Sequence, residues 1–164
     1  MTQRAVHADA SGEGAIHPAD LSDLSELVAL LGELFSQEAE FEPDSQKQAE
    51  GLRLIVEDPA RGSILVWRHP GAGVVGMVVL LWTVSTAEGG WVATLEDVVV
   101  APAYRGQGIG RRLLDAGLDA ARAKGCRRVS LLTDADNHRA QKVYHSRGFT
   151  DSSMRLLRLT LSPR

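Results

Sequence analysis

The first sustained pattern along the chain is helical. Leu21, Leu24, Leu27, Val28, Leu31, Leu34 and Phe35 recur at spacings of three and four, which gathers them on one face of a helix opened by Pro18-Ala19-Asp20. A polar connection, 36–44, leads to Ser45-Gln46-Lys47-Gln48, whose serine and glutamine three residues apart read as a capping box. Ala49, Leu52, Ile55 and Val56 form the apolar face of this second helix, which stops at Asp58-Pro59 because the residue before a proline is pushed out of helical angles. The pattern then turns to strands. Residues 64–68 and 74–84 are apolar and β-branched, and His69-Pro70-Gly71-Ala72-Gly73 between them reads as a hairpin turn. Ala87-Glu88-Gly89-Gly90 turns the chain again into 91–100, so three antiparallel strands are expected in succession. A glycine-rich bend follows, then a helix over 108–124 stopped by Gly125, a strand over 127–133, a helix over 136–147 ending at Gly148, and a last strand over 154–161. With a short strand at 15–17 the order is β-α-α-β-β-β-α-β-α-β. Hairpins followed by a β-α-β crossover predict an α/β (α+β) fold, a mixed and mostly antiparallel sheet flanked by helices.

Composition narrows this picture without changing it. The chain has 164 residues, 44% of them hydrophobic, and a single cysteine. At about 150 residues a chain buries roughly two-thirds of its unfolded surface, enough for a core without staples. Residues 1–14 carry Ser11-Gly12-Glu13-Gly14 and no sustained apolar pattern, which predicts a flexible N-terminal extension ahead of a single domain over 15–164. Cys126 alone rules out an internal disulfide or a cysteine-rich zinc site, and the five histidines form no metal-ligand spacing, so no metal is expected. The longest strongly apolar run, 74–82, is far shorter than the ~18 residues of a membrane span, and the N-terminus has no apolar core of a signal peptide. A cytoplasmic protein with no membrane partner is the expectation.

Charge adds a second clue. Residues 5–46 hold ten acids and no Lys or Arg, while residues from Arg105 onward hold 13 Lys and Arg against five acids. Such asymmetry fits a cation-binding part and an anion-binding part in one domain, or simply solvated helix faces. The net charge of −3 and the lack of aromatic interleaving among the basic residues argue against nucleic acid.

The densest chemistry lies in Val98-Val99-Val100-Ala101-Pro102-Ala103-Tyr104-Arg105-Gly106-Gln107-Gly108-Ile109-Gly110. A strand passes through a tight loop into a helix. Glycines there let successive backbone N–H groups face one point, and the helix N-terminus adds partial positive charge, an arrangement suited to phosphate or pyrophosphate. Arg105, with Arg111 and Arg112, adds charge-assisted contacts. A Walker loop is excluded because Gly110 is followed by Arg111-Arg112 rather than Lys-Ser or Lys-Thr. A dinucleotide fingerprint is weak because Arg111 stands where a third small residue belongs.

Arg105 to Gly110 does fit Arg-x-x-Gly-x-Gly, and further on Asn137-His138-Arg139-Ala140-Gln141-Lys142-Val143-Tyr144-His145-Ser146-Arg147-Gly148-Phe149 supplies Asn…Ala…Tyr…Gly-Phe. At this separation and in this element order, the two segments resemble the GNAT superfamily of N-acetyltransferases over residues 15–161. The resemblance implies an acetyl-CoA-dependent enzyme that moves an acetyl group to a primary amine by direct attack in a ternary complex. It implies that backbone groups of Val98, Val99 and Val100 pair with the pantetheine arm, that the Val99 or Val100 N–H polarises the thioester carbonyl, and that Arg105, Gly106, Gln107, Gly108, Ile109, Gly110 and Arg111 hold the pyrophosphate. Tyr144, beside the cofactor, is where relatives often carry the acid that protonates the departing thiolate. Asn137 contacts the cofactor or only caps its helix.

A base or a water relay must deprotonate the amine. Strand alternation points Glu96 and Asp97 to opposite faces unless a bulge intervenes, so one of them is expected at the cleft, and similarity to polyamine and amino-sugar acetyltransferases favours Glu96. The acids Glu33, Glu38, Glu40, Glu42 and Asp44, with Phe41, fit either a solvated acidic loop or a small cationic amine as acceptor, a peptide amine being the other substrate class. Only Thr150-Asp151-Ser152-Ser153 separates Gly148-Phe149 from the expected last strand, too little for the covering hairpin of many relatives, and the resemblance implies a homodimer. The alternative is a non-catalytic acyl-CoA-binding or regulatory module with the same fold.

Overall fold

The computed structural model describes residues 7–8, 14–37 and 43–161. It divides into two compact units, 1–132 and 133–164. In the first unit β1 (His7–Ala8), β2 (Ala15–Pro18), α1 (Leu24–Phe35), α2 (Ser45–Val56), β3 (Gly62–His69), β4 (Gly73–Ser85), β5 (Gly90–Val100), α3 (Ile109–Lys124) and β6 (Val129–Leu131) follow in order. Among the described residues the strands make one six-stranded sheet in chain order. Neighbours are antiparallel as far as β5, and β6 runs parallel to β5 after the α3 crossover. The mixed, mostly antiparallel α/β architecture matches the pattern of apolar positions.

Alternation along β4 assigns the helices to faces. Met77 and Val79 join Leu27, Leu30, Leu31 and Leu52 in the core beneath α1 and α2. Val78 and Leu80 point the other way, against Gly117 of α3. Each fully buried leucine in that core contributes about 2 kcal/mol of transfer free energy. On the α3 face the helix comes so close that a Cβ on Gly76 would lie 3.0 Å from Leu113 Cδ1 and 3.2 Å from the Val99 carbonyl oxygen. Close contact at this point sets α3, and the loop leading into it, directly against β5.

Polar contacts fix the start of α1. Asp20 caps a 3-10 turn, Leu21–Asp23, that runs into the helix, and Asp23 returns a bond to the Asp20 N–H in a capping box. Asp23 is 1% exposed and meets Arg68 Nη2 at 2.6 Å, while Glu26 Oε1 accepts from the Val74 N–H at 3.0 Å. The second helix starts differently from the pattern expected. Asp44, not Ser45, is the N-cap, its carboxylate accepting from the Gln46 and Lys47 N–H groups at 3.1 Å. A carboxylate makes stronger, charge-assisted caps than a hydroxyl, so Ser45 becomes the first helical residue and Gln48 is released from the capping box.

The second unit contains α4 (His138–His145), shorter than the expected 136–147. The expected last strand over 154–161 does not form: 153–161 carry no regular structure, and Met154, Leu157, Leu159 and Leu161 are 82–91% exposed. The segment's apolar positions change phase at Leu156-Leu157, so no single strand face collects them, and a strand needs ladder partners as well as composition. Among the described residues no helix is long and apolar enough to cross a membrane.

Candidate active site

The pairing of β5 with β4 slips by one residue in the middle. Val79 stands opposite Asp97 and Leu80 opposite Leu95, which leaves Glu96 as the extra residue of a β-bulge. Without the bulge only one of the two acids faces the cleft. With it, Glu96 and Asp97 line the same cavity of about 490 Å³, closed on the other side by α1 and α2. That volume suits a small molecule. Leu31 and Phe35 of α1 and Leu52 and Ile55 of α2 give it an apolar wall, and Asp44, Lys47 and Gln48 give it a polar one.

Immediately past the bulge the strand changes what it offers. Its parallel pairing with β6 covers Ala93 to Leu95, so from Glu96 onward the described ladder runs to β4 alone. The Ala101 N–H donates to the Val75 carbonyl on the β4 side at 2.8 Å. Because backbone N–H groups alternate sides along a strand, the Val99 N–H also points to β4, and those of Val98 and Val100 point to the opposite edge. The Ala93 N–H donates to Arg128 on the β6 side at 2.9 Å, so 93 and 101, both odd, point opposite ways. The bulge is what reverses the parity. Of the two donors named as candidates for a thioester oxygen, Val100 faces the edge and Val99 does not.

The chain leaves this edge through a 3-10 turn, Pro102–Tyr104, and enters α3 through two left-handed glycines, Gly106 at φ +81° and Gly108 at φ +83°. Gly108 is the N-cap and has no side chain to satisfy the first-turn N–H groups of α3. The main chain thus turns its donors outward beside a helix N-terminus. Arg105 Nε donates to the Val100 carbonyl at 2.9 Å and ties the loop to the strand end, and Gln107 Nε2 reaches the Ala103 carbonyl at 3.5 Å. Arg111 is exposed on the first turn, Gly110 is half-buried against Val100, and Ile109 is buried beneath them.

Two residues singled out in the sequence belong to the second unit. Asn137 Oδ1 accepts from the Ala140 N–H at 3.1 Å, so it caps α4. Tyr144 is half-buried, with its ring edge-on to Phe149 at a centroid distance of 5.8 Å. Glu38, Glu40, Phe41 and Glu42 lie outside the described residues. Burial pushes the Cys126 thiol pKa up, which opposes a thiolate nucleophile. Sequence reasoning overlooked Gln48 as a cavity residue. The signal was present: Gln48, Leu52 and Ile55 share one helical face, a polar residue in a core phase.

Comparison with known proteins places this architecture. Residues 25–149 match the model of the acetyltransferase (GNAT) family. The chain is 28% identical over 137 residues to the aminoalkylphosphonate N-acetyltransferase of Salmonella typhimurium, covering 84% of this chain and 85% of that one. It is 34% identical over 140 residues to glucosamine 6-phosphate N-acetyltransferase 1 of Oryza sativa subsp. japonica, covering 78% and 79%. Among solved structures, an acetyltransferase of Trypanosoma brucei superposes with a TM-score of 0.69 at 30% identity over 89% of this chain and 98% of that one. An aminoglycoside N-acetyltransferase in complex with CoA shares the fold, with a TM-score of 0.73 at 18% identity over 98% and 99% of the two chains.

Proposed function

Because the chain belongs to the GNAT family of acetyltransferases, and is thus an acyltransferase, we propose that it moves the acetyl group of acetyl-CoA directly to a primary amine held in the cavity beneath α1 and α2. The observation that carries this reading is the bulge at Glu96. It brings two acidic residues into the lining of the cavity and, two residues later, turns backbone N–H groups toward the open edge of the same strand. Bound along that edge, acetyl-CoA supplies an acetyl group already activated as a thioester.

The residues fit such a cosubstrate on the strength of their own geometry. The Val98 and Val100 N–H groups are free of β4 and suit the amide and carbonyl oxygens of an extended arm. Gly106 and Gly108 leave the first-turn N–H groups of α3 uncapped, which suits a pyrophosphate. Arg105, Gln107 and Arg111 flank that loop. The Val100 N–H donates to the thioester oxygen, where negative charge grows during attack, and one such donor is worth about 3 kcal/mol.

Glu96 accepts the amine proton, directly or through a water, because it is the more exposed of the two bulge acids and lines the cavity. Asp97 adds negative charge that draws in the ammonium form. Tyr144 holds the proton that the leaving sulfur needs, a role a phenol fills without carrying charge. The two relatives above are named for an aminoalkylphosphonate and for glucosamine 6-phosphate. Those names support a small-molecule amine over a peptide.

The test is release of CoA thiol from acetyl-CoA across polyamines, amino sugars, amino acids and peptides. Saturable turnover with one class is expected, and Tyr144→Phe lowers its kcat by about 10²- to 10⁴-fold. A change under threefold removes Tyr144 from the reaction.

A further inference from the structure

One residue on the wall of the acceptor cavity carries a donor that the described residues leave unused. Gln48 is 8% exposed, lines the cavity, and its Nε2 is buried with no hydrogen-bond partner among the described residues. A buried amide with an unmet N–H is costly, and a leucine or methionine in this core phase of α2 would pack beside Leu52 at no such cost. The N-cap does not need it, because Asp44 already serves the Gln46 and Lys47 N–H groups. Beside Gln48, Lys47 stands at the cavity rim with its ammonium 3.2 Å from the Asp44 carboxylate and its side chain 84% exposed.

The cavity therefore has two chemical poles. Glu96 and Asp97 on β5 accept protons and hydrogen bonds, whereas Gln48 and Lys47 on α2 donate them. A plain alkylamine or polyamine satisfies only the first pole and leaves the Gln48 amide buried and unpaired. We propose that Gln48 is a specificity-determining residue whose amide, turned so that Nε2 reaches the cavity surface, donates to an oxygen of the acceptor, so that the substrate is an amine carrying a nearby hydroxyl, carboxylate or phosphoryl oxygen. The inference rests on the acetyl-transfer reading of this cavity. Rejection of the oxygen-free analogue follows from the donor left unpaired, the same asymmetry that makes a site built around a hydrogen bond discriminate strongly.

Matched amines decide it: ethanolamine, β-alanine and ethanolamine phosphate, each against propylamine, with the wild-type protein and with Gln48→Met. The wild type is expected to favour at least one oxygen-bearing amine over propylamine by about tenfold or more in kcat/KM. That ratio should collapse toward one in Gln48→Met, and which amine is favoured identifies the kind of oxygen. Equal kcat/KM with and without the oxygen in the wild type, or a preference that survives Gln48→Met, overturns the inference and leaves acetyl transfer standing. No turnover of any primary amine by the wild type overturns acetyl transfer and the inference together. As an independent readout, the ligand-free Tm of Gln48→Met is expected to hold or rise. A fall of several degrees shows the amide to be paired within the fold and overturns the inference.

Discussion

From Val98 to Ile109 the chain works with its main chain: outward N–H groups on the β5 edge, two left-handed glycines and an uncapped helix start. The cavity on the other side of the bulge works with side chains, Glu96 and Asp97 from β5 facing Lys47 and Gln48 from α2 across the apolar residues of α1. The two regions share one strand and meet at one irregular residue. Their materials explain what each can recognise. Main-chain donors cannot be exchanged by substitution, so they suit a group that stays constant, such as a pyrophosphate or an amide-bearing arm. Side chains can be exchanged singly, so the cavity wall can change its acceptor while the sheet that carries it stays the same.

Substitutions should therefore separate the two halves. The largest effect is expected from Glu96→Gln, which keeps the shape of the bulge and removes the proposed base. Turnover near neutral pH should fall by about 10²- to 10³-fold, with the acetyl-CoA dissociation constant, measured calorimetrically, moving less than twofold. A loss under threefold would hand the proton to another group and break the assignment of the cavity. Next comes Gly108→Val on the main-chain side. Forcing a β-branched residue into φ +83° costs about 1–2 kcal/mol, so acetyl-CoA should bind roughly tenfold more weakly while the order of preference among amines is kept. A changed amine preference would show the two regions to be one.

The smallest effect concerns Asp44, which belongs to the cavity wall and to the fold. The backbone N–H of Lys47 first, and the Lys47 side chain second, hold the Asp44 carboxyl below its ordinary value of 3.8. A carboxyl whose pKa is lower folded than unfolded stabilises the protein fully above the unfolded value and loses that contribution as pH falls through the folded one. Asp44→Ala should thus lower Tm by a few degrees at pH 7. The gap to wild type should narrow progressively in thermal melts as the pH falls below about 4. A gap that persists at low pH would mean that the cap does not act through its charge.

How much of this was readable in the sequence depends on which interactions make each part. α1 was legible because its leucines repeat at helical spacing, and the glycine loop was legible because Gly106, Gly108 and Gly110 lie within five consecutive residues. Both are local. The bulge was not legible, since it exists only in the register of β5 on β4, Val79 opposite Asp97 and Leu80 opposite Leu95, and alternation alone left Glu96 and Asp97 on opposite faces. Gln48 was visible but assigned to the wrong partner, because the competing cap, Asp44, sits just outside the serine-to-glutamine pattern. The expected last strand shows the converse error. Its composition is strand-like, yet Leu156 and Leu157 fall out of phase and the segment carries no ladder.

The central claim is that both halves of β5 are occupied at once, so that the amine attacks without the acetyl group first passing to the protein. Initial rates measured with acetyl-CoA and the preferred amine both varied test it most directly. The account predicts double-reciprocal lines that intersect, the pattern of a ternary complex. Parallel lines, with CoA released before the amine is added, would show an acetylated protein and contradict it.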